Sequence, residues 1–167
     1  LLFKGPYHVD ALMRLPFIWQ PAMNQGVPSA EVTKPVGHID LASTFCAVAG
    51  IPVPDYCEGK TLPSSDADAV KQNREIMLTE WDSEHGHTDM HIKSIYHDEG
   101  WLCTPYEPSF MYDGSEGELY DMSNDPEQRH NLWSDPGYVE KRNALKAELY
   151  DALPKARDPK LKRLAPV

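Results

Sequence analysis

Met13 to Trp19, MRLPFIW, is a mostly apolar run bounded by Pro21 and the polar stretch MNQG. A run of this length without alternation predicts a short strand buried on both faces, as in a sheet covered by helices. Glu31 to Val36 predicts a second short extended piece. From Asp40 the spacing changes. Leu41, Phe45, Val48 and Ala49 share one helical face, Asp40 suits the N-terminal end, and Gly50 followed by Pro52 ends the helix. The polar residues 62–74, LPSSDADAVKQNR, mark a boundary between subdomains. Beyond them Glu75 to Trp81, Met90 to Tyr96, Gly100 to Pro105 and Glu118 to Met122 read as four short strands with brief connections, an antiparallel meander. Asp135 and Pro136 form an N-cap and first-turn pair. The helix that follows carries Tyr138, Leu145, Leu149 and Ala152 on one stripe and stops at Pro154. The expected fold class is an α/β fragment followed by α+β, the latter a four-stranded antiparallel sheet packed by a terminal helix.

Composition narrows the partners. The 167 residues are 41% hydrophobic, enough for a buried core, and carry a net charge of −10. That balance disfavours nucleic acid and anionic membrane surfaces, both of which require clustered Lys and Arg. No run of 18 apolar residues predicts a membrane span. Residues 155–167 are the basic exception, with Lys155, Arg157, Lys160, Lys162 and Arg163 reading as a solvated tail. Cys46, Cys57 and Cys103 have no C-x-x-C spacing and suggest neither a disulfide framework nor a zinc knuckle. The chain opens Leu1-Leu2-Phe3-Lys4, which suggests a fragment whose earlier part is missing and leaves localisation unread.

Two clusters invite a chemical reading. Asp121, Ser123, Asp125 and Glu127 alternate like the oxygen ligands of a calcium loop. Such a loop requires Gly at its sixth position and a bidentate Glu at its twelfth, and those places hold Pro126 and Leu132. A Pro-containing Asx turn fits better. The second cluster, EHGHTDMH, brings His85, His87 and His91 close to Asp82, Glu84 and Asp89. Imidazole with carboxylate can hold zinc or iron, but H-x-H-x-x-x-H around a Gly does not put all three rings on one face. A solvated loop, a substrate-contacting loop and a metal site stay open. No G-x-S-x-G and no Gly-rich phosphate loop occurs.

Several segments in order resemble the C-terminal part of the type I sulfatases of the alkaline phosphatase superfamily. Lys4 followed by Arg14-Leu15-Pro16-Phe17-Ile18 is similar to that family's Lys and Arg-Val-Pro-Leu-Ile. Val36-Gly37-His38-Ile39-Asp40-Leu41-Ala42-Ser43-Thr44, closing with Ala49-Gly50-Ile51-Pro52, resembles its V-x-H-x-D-L-x-P-T … A-G-I helix, with Ser43 in place of Pro. Gly59-Lys60-Thr61-Leu62 resembles G-x-S-L. Gly117-Glu118-Leu119-Tyr120-Asp121-Met122, Asn124-Asp125-Pro126-Glu127 and Asn131-Leu132 resemble the tail signature.

The resemblance implies a hydrolase of sulfate esters. Family members use a formylglycine, made from Cys or Ser in a C/S-x-P-S-R motif, beside a divalent metal, usually calcium. No C-x-P-S-R occurs in this sequence, and the expected metal pair would precede Leu1. Lys4 matches the family's active-site Lys, whose ammonium counters charge on the sulfate oxygens as the ester bond breaks. His8 lies near it in sequence, and His85, His87 and His91 are candidates for the rim of the substrate pocket. Residues 1–66 are expected to end the α/β catalytic domain, with MRLPFIW as a strand of its mixed sheet, and residues 67–167 to form the C-terminal subdomain. The expected partners are a missing N-terminal catalytic portion or a self-associated copy, with a sulfate ester as the substrate of the intact enzyme. The isolated chain is expected to be inactive. Alternatives are a non-catalytic binding or assembly module, and part of a related phosphonate or phosphate ester hydrolase.

Overall fold

A computed structural model describes residues 7–20, 26, 28–85 and 88–153, with the side chains of 83–89 excepted. The elements run α1 (Asp10–Met13), α2 (Ile39–Ala49), α3 (Asp66–Lys71), β1 (Ile76–His85), β2 (Thr88–His97), β3 (Trp101–Pro105), β4 (Gly117–Asp121) and α4 (Val139–Ala152). The four strands form one antiparallel sheet in the order β1-β2-β3-β4. The meander expected from the strand and turn pattern is the observed topology.

Period-2 alternation assigns the faces of the sheet. Register sets Leu78 opposite Ile95, Ile95 opposite Cys103, and Cys103 opposite Leu119. Ile95, Cys103 and Leu119 of this row meet Leu145 and Leu149 of α4 together with Trp133 to form the core, and Leu78 packs against it. Leu132 and Tyr138 pack against its margin. Burial places Cys103 in apolar surroundings and pushes its thiol up to about 12, so it is a core side chain and not a nucleophile. The chain enters α4 through a 3-10 turn, Pro136–Tyr138, where the Asp135 carboxylate accepts from the Gly137 N–H at 2.8 Å. The polar residues before the sheet are partly ordered into α3, capped by Ser65, whose hydroxyl accepts from the Asp68 N–H at 3.2 Å.

The opposite face of the sheet carries Met77, Thr79, Ser94, Tyr96 and Leu102 toward residues 8–20 and 28–36. MRLPFIW is not a strand. Its Met13 closes the single turn of α1, and residues 14–20 have no strand partner among the described residues. Ile18 is 93% exposed. A strand in the middle of a sheet exists only through ladder bonds to neighbours on each side, and among the described residues the sheet ends at β1. Glu31 to Val36 likewise runs as irregular chain.

Helix α2 lies where its caps predict, ending at Gly50 with φ of 69°, the left-handed geometry that glycine adopts without steric cost. Its burial is the reverse of its amphipathic pattern. Asp40, Ser43 and Thr44 are buried, whereas Phe45 and Val48 are 53% and 52% exposed. The polar side is held by a dense set of bonds. The Asp40 carboxylate accepts from the N–H groups of Gly37 (3.0 Å) and Lys60 (2.8 Å) and from Arg74 Nη1 (2.8 Å). Arg74 Nη2 also donates to the carbonyls of Lys60 and Thr61. Ser43, where the resembling family has Pro, donates to the Gly59 carbonyl at 2.6 Å. Gly59 must be glycine here, because a Cβ would stand 2.0 Å from the Ile39 carbonyl oxygen.

Candidate functional site

Between the second face of the sheet and residues 8–36 lies a cavity of about 1100 Å³. Its walls include His8, Thr79, Ser94 and Tyr96 on the polar side, and Leu15 and Val32 among the apolar contacts. Tyr96 sits between Met77 and Leu102 in the strand register, so the floor of the cavity is built by alternate residues of three strands.

His8 is 4% exposed, and its Nδ1 lies 2.6 Å from Ser94 Oγ. Ser94 Oγ in turn lies 2.8 Å from Thr104 Oγ1. Ser94 and Thr104 are 3% and 1% exposed. The three groups thus form a buried polar chain joining residue 8 to the two central strands across 86 positions of sequence. Burial lowers the His8 pKa from 6.5 to about 4, so the ring is neutral near pH 7.

The other predicted residues fall elsewhere. Lys4 and His87 lie outside the described residues, as does the side chain of His85. His91 is on β2, directly opposite Asp82 of β1, with Nδ1 at 2.9 Å from the Asp82 carboxylate. Alternation along β2 puts His91 on the same face as Lys93 and Ile95, opposite to Ser94. The structure therefore joins His8 to Ser94 and not to His91. The described residues of EHGHTDMH are strand and not loop: the pairing of β1 with β2 continues through Glu84–Asp89 to His85–Thr88. The pairing is a cross-strand feature, which a reading of local turn signals misses.

The acidic run is turn chemistry. Asp121 Oδ1 accepts from the N–H groups of Ser123 and Asn124, and Asp125 accepts from those of Arg129 and His130. These backbone donors hold the Asp125 carboxyl below the usual range. Among the described residues no grouping of three or more His, Cys, Asp or Glu is placed to hold a metal.

Ser94 and Thr104 were not singled out by sequence. The available signal is slight: Ser94 shares its strand face with Ile92 and Tyr96, so a small polar residue falls on an apolar face, which implies a buried partner but does not name it. Arg74, which clamps Asp40, follows a helix end and reads in sequence as solvated charge.

Residues 3–155 match the family described as N-sulphoglucosamine sulphohydrolase, C-terminal. The chain belongs to this family. It is 30% identical over 161 residues to the uncharacterized sulfatase YidJ of Escherichia coli (strain K12), a match covering 95% of this chain and 30% of that protein. It is 29% identical over 156 residues to the delta 4,5-hexuronate-2-O-sulfatase of Bacteroides thetaiotaomicron, covering 89% of this chain and 30% of the relative. Among solved structures, a 2-O GAG sulfatase is similar with a TM-score of 0.55 and 32% identity, over 67% of this chain and 23% of that one. The phosphonate monoester hydrolase of Agrobacterium radiobacter, at 19% identity and a TM-score of 0.54 over 67% of this chain and 23% of its own, shares the fold alone. The chain spans about 30% of the length of the curated relatives it matches. The C-terminal sulfatase fold expected from the ordered motifs is the one found.

Proposed function

We propose that this chain forms the C-terminal part of a sulfuric ester hydrolase, with residues 1–66 completing the α/β catalytic domain and residues 67–167 the C-terminal subdomain. The observation that carries the reading is the family match over 3–155 together with 30% identity to a sulfatase over almost the whole chain. Lys4 supplies a compact positive charge to the sulfate oxygens, and His8, lining the cavity, supplies a neutral polar contact. The end of the β1–β2 hairpin, the stretch of sequence that holds His85 and His87, contributes to the substrate rim, whereas His91 faces away from the cavity on the side of Ile95. The names of the relatives favour a sulfated sugar as substrate, and the identity to sulfatases favours sulfate over phosphate or phosphonate esters.

Calcium and formylglycine belong to this family reading, but the residues present do not fit them. The sequence has no C-x-P-S-R segment, and the described residues hold no metal-ligand grouping. What these residues do is bind and orient: cationic and N–H donors meet an anion, and the cavity wall limits its access to water. The partner of this part is the N-terminal catalytic portion, with a second copy of the chain as the competing occupant of its exposed apolar face.

Incubation of the purified 167-residue chain with an aryl sulfate is expected to release no sulfate. Turnover above a buffer blank, with no other polypeptide present, would overturn the assignment of catalysis to residues outside this sequence. Sulfate binding by the same protein, followed by isothermal calorimetry and abolished by Lys4→Ala, is expected from the assigned role of Lys4.

A further inference from the structure

A sulfate monoester near neutral pH offers only acceptor oxygens, so an imidazole that recognises it must present an N–H. A pyridine-type nitrogen facing those oxygens would repel them. In a neutral ring one nitrogen carries the proton and the other accepts. His8 Nδ1 is engaged by Ser94 Oγ at 2.6 Å, which leaves Nε2 for a ligand in the cavity that His8 lines. For Nε2 to hold the proton, Nδ1 must accept and the Ser94 hydroxyl must donate to it. Ser94 Oγ then has free lone pairs, and Thr104 Oγ1, 2.8 Å away, is placed to donate to one of them. The reverse sense would end on a Thr104 hydroxyl needing an acceptor of its own, whereas its partner among the described residues is Ser94.

We infer that Ser94 and Thr104 are positioning residues that hold His8 as the Nε2–H tautomer, donating to an anionic oxygen in the cavity; this rests on the sulfate-ester reading above. Both hydroxyls and the ring are almost wholly buried, so water does not compete for the relay. The side chains come from residue 8, β2 and β3, so the arrangement exists only when the N-terminal segment is seated on the sheet.

The test is two-bond ¹H–¹⁵N spectroscopy of the ¹⁵N-histidine-labelled 167-residue chain at pH 7, with His8 assigned by difference against His8→Asn. A pyrrole-type Nε2 and a pyridine-type Nδ1 are expected. Ser94→Ala should convert this single tautomer to a mixture, Ser94→Thr should restore it, and Thr104→Val should weaken it. An Nδ1–H tautomer in the unmodified chain overturns the inference, as does an unchanged tautomer in both Ser94→Ala and Thr104→Val. If Ser94→Ala loses its far-ultraviolet circular dichroism, the near-isosteric Thr104→Val and the unmodified spectrum decide. Added sodium sulfate should shift the Nε2 resonance. A resonance that stays put while the tautomer pattern holds counts against the anion-site reading and leaves the relay standing.

Discussion

His8 is a histidine inside a protein, and that placement has a consequence for stability. Its ordinary pKa of 6.5 is lowered to about 4 by burial. Above pH 6.5 the ring is neutral in both the folded and the unfolded chain, and its packing contributes in full. As pH falls from 6.5 to about 4 the unfolded chain takes up a proton that the folded chain refuses, so stability is lost across that window. The loss from this one group is on the order of 3 kcal/mol. Urea midpoints recorded between pH 7 and 4 should fall more steeply for the unmodified chain than for His8→Asn, with equal slopes counting against burial as the cause. Cys103, held protonated in the core, should resist alkylation until the chain unfolds.

Helix α2 and the segments it touches are held by a buried ion pair and not by an apolar face. Arg74 and Asp40 side chains are each 4% exposed. Removing one partner strands the other charge, which typically costs about 3–5 kcal/mol. Arg74→Met should therefore destabilise strongly in chemical denaturation. Arg74→Met combined with Asp40→Leu should cost less than the sum of the two single changes, and strict additivity would show that the pair is not coupled. Helix α4 relies on the opposite physics. Leu149 is fully buried against Ile95 and Leu119, and Leu149→Ala should cost about 2–5 kcal/mol through lost transfer energy and a residual cavity. A thermal melt that moves by no more than a degree would contradict that placement.

Across the molecule the two sides differ. The sheet and α4 enclose a closed core, whereas residues 15–19 and the outer face of α2 present Phe17, Ile18, Trp19, Phe45 and Val48 to solvent. Trp19 and Phe45 rings lie 5.9 Å apart, so these exposed groups form a joint surface. Contiguous apolar surface of this kind drives association. Sedimentation velocity should show concentration-dependent self-association of the chain, reduced by Ile18→Asp with Phe45→Asp. A monomer at all concentrations for the unmodified chain would argue against that surface as an interface.

Local pattern sufficed for the central residues of the four strands, for the two long helices and the Gly50 end of α2, and for the turn chemistry of Asp121 to Asp125. These depend on neighbours within a few residues, and the ordered motifs added the family. Long-range contact settled the rest. MRLPFIW has strand composition, yet without a neighbouring strand its backbone has no ladder to join. The apolar stripe of α2 faces outward because Asp40, Ser43 and Thr44 find hydrogen-bond partners at Arg74, Gly59 and Leu62. His8 could be picked out near Lys4 in the chain, but its partners Ser94 and Thr104 could not, because hydrogen bonds across 86 positions leave no periodic trace in sequence. Periodicity records which faces an element can offer; folding alone chooses what each of them meets.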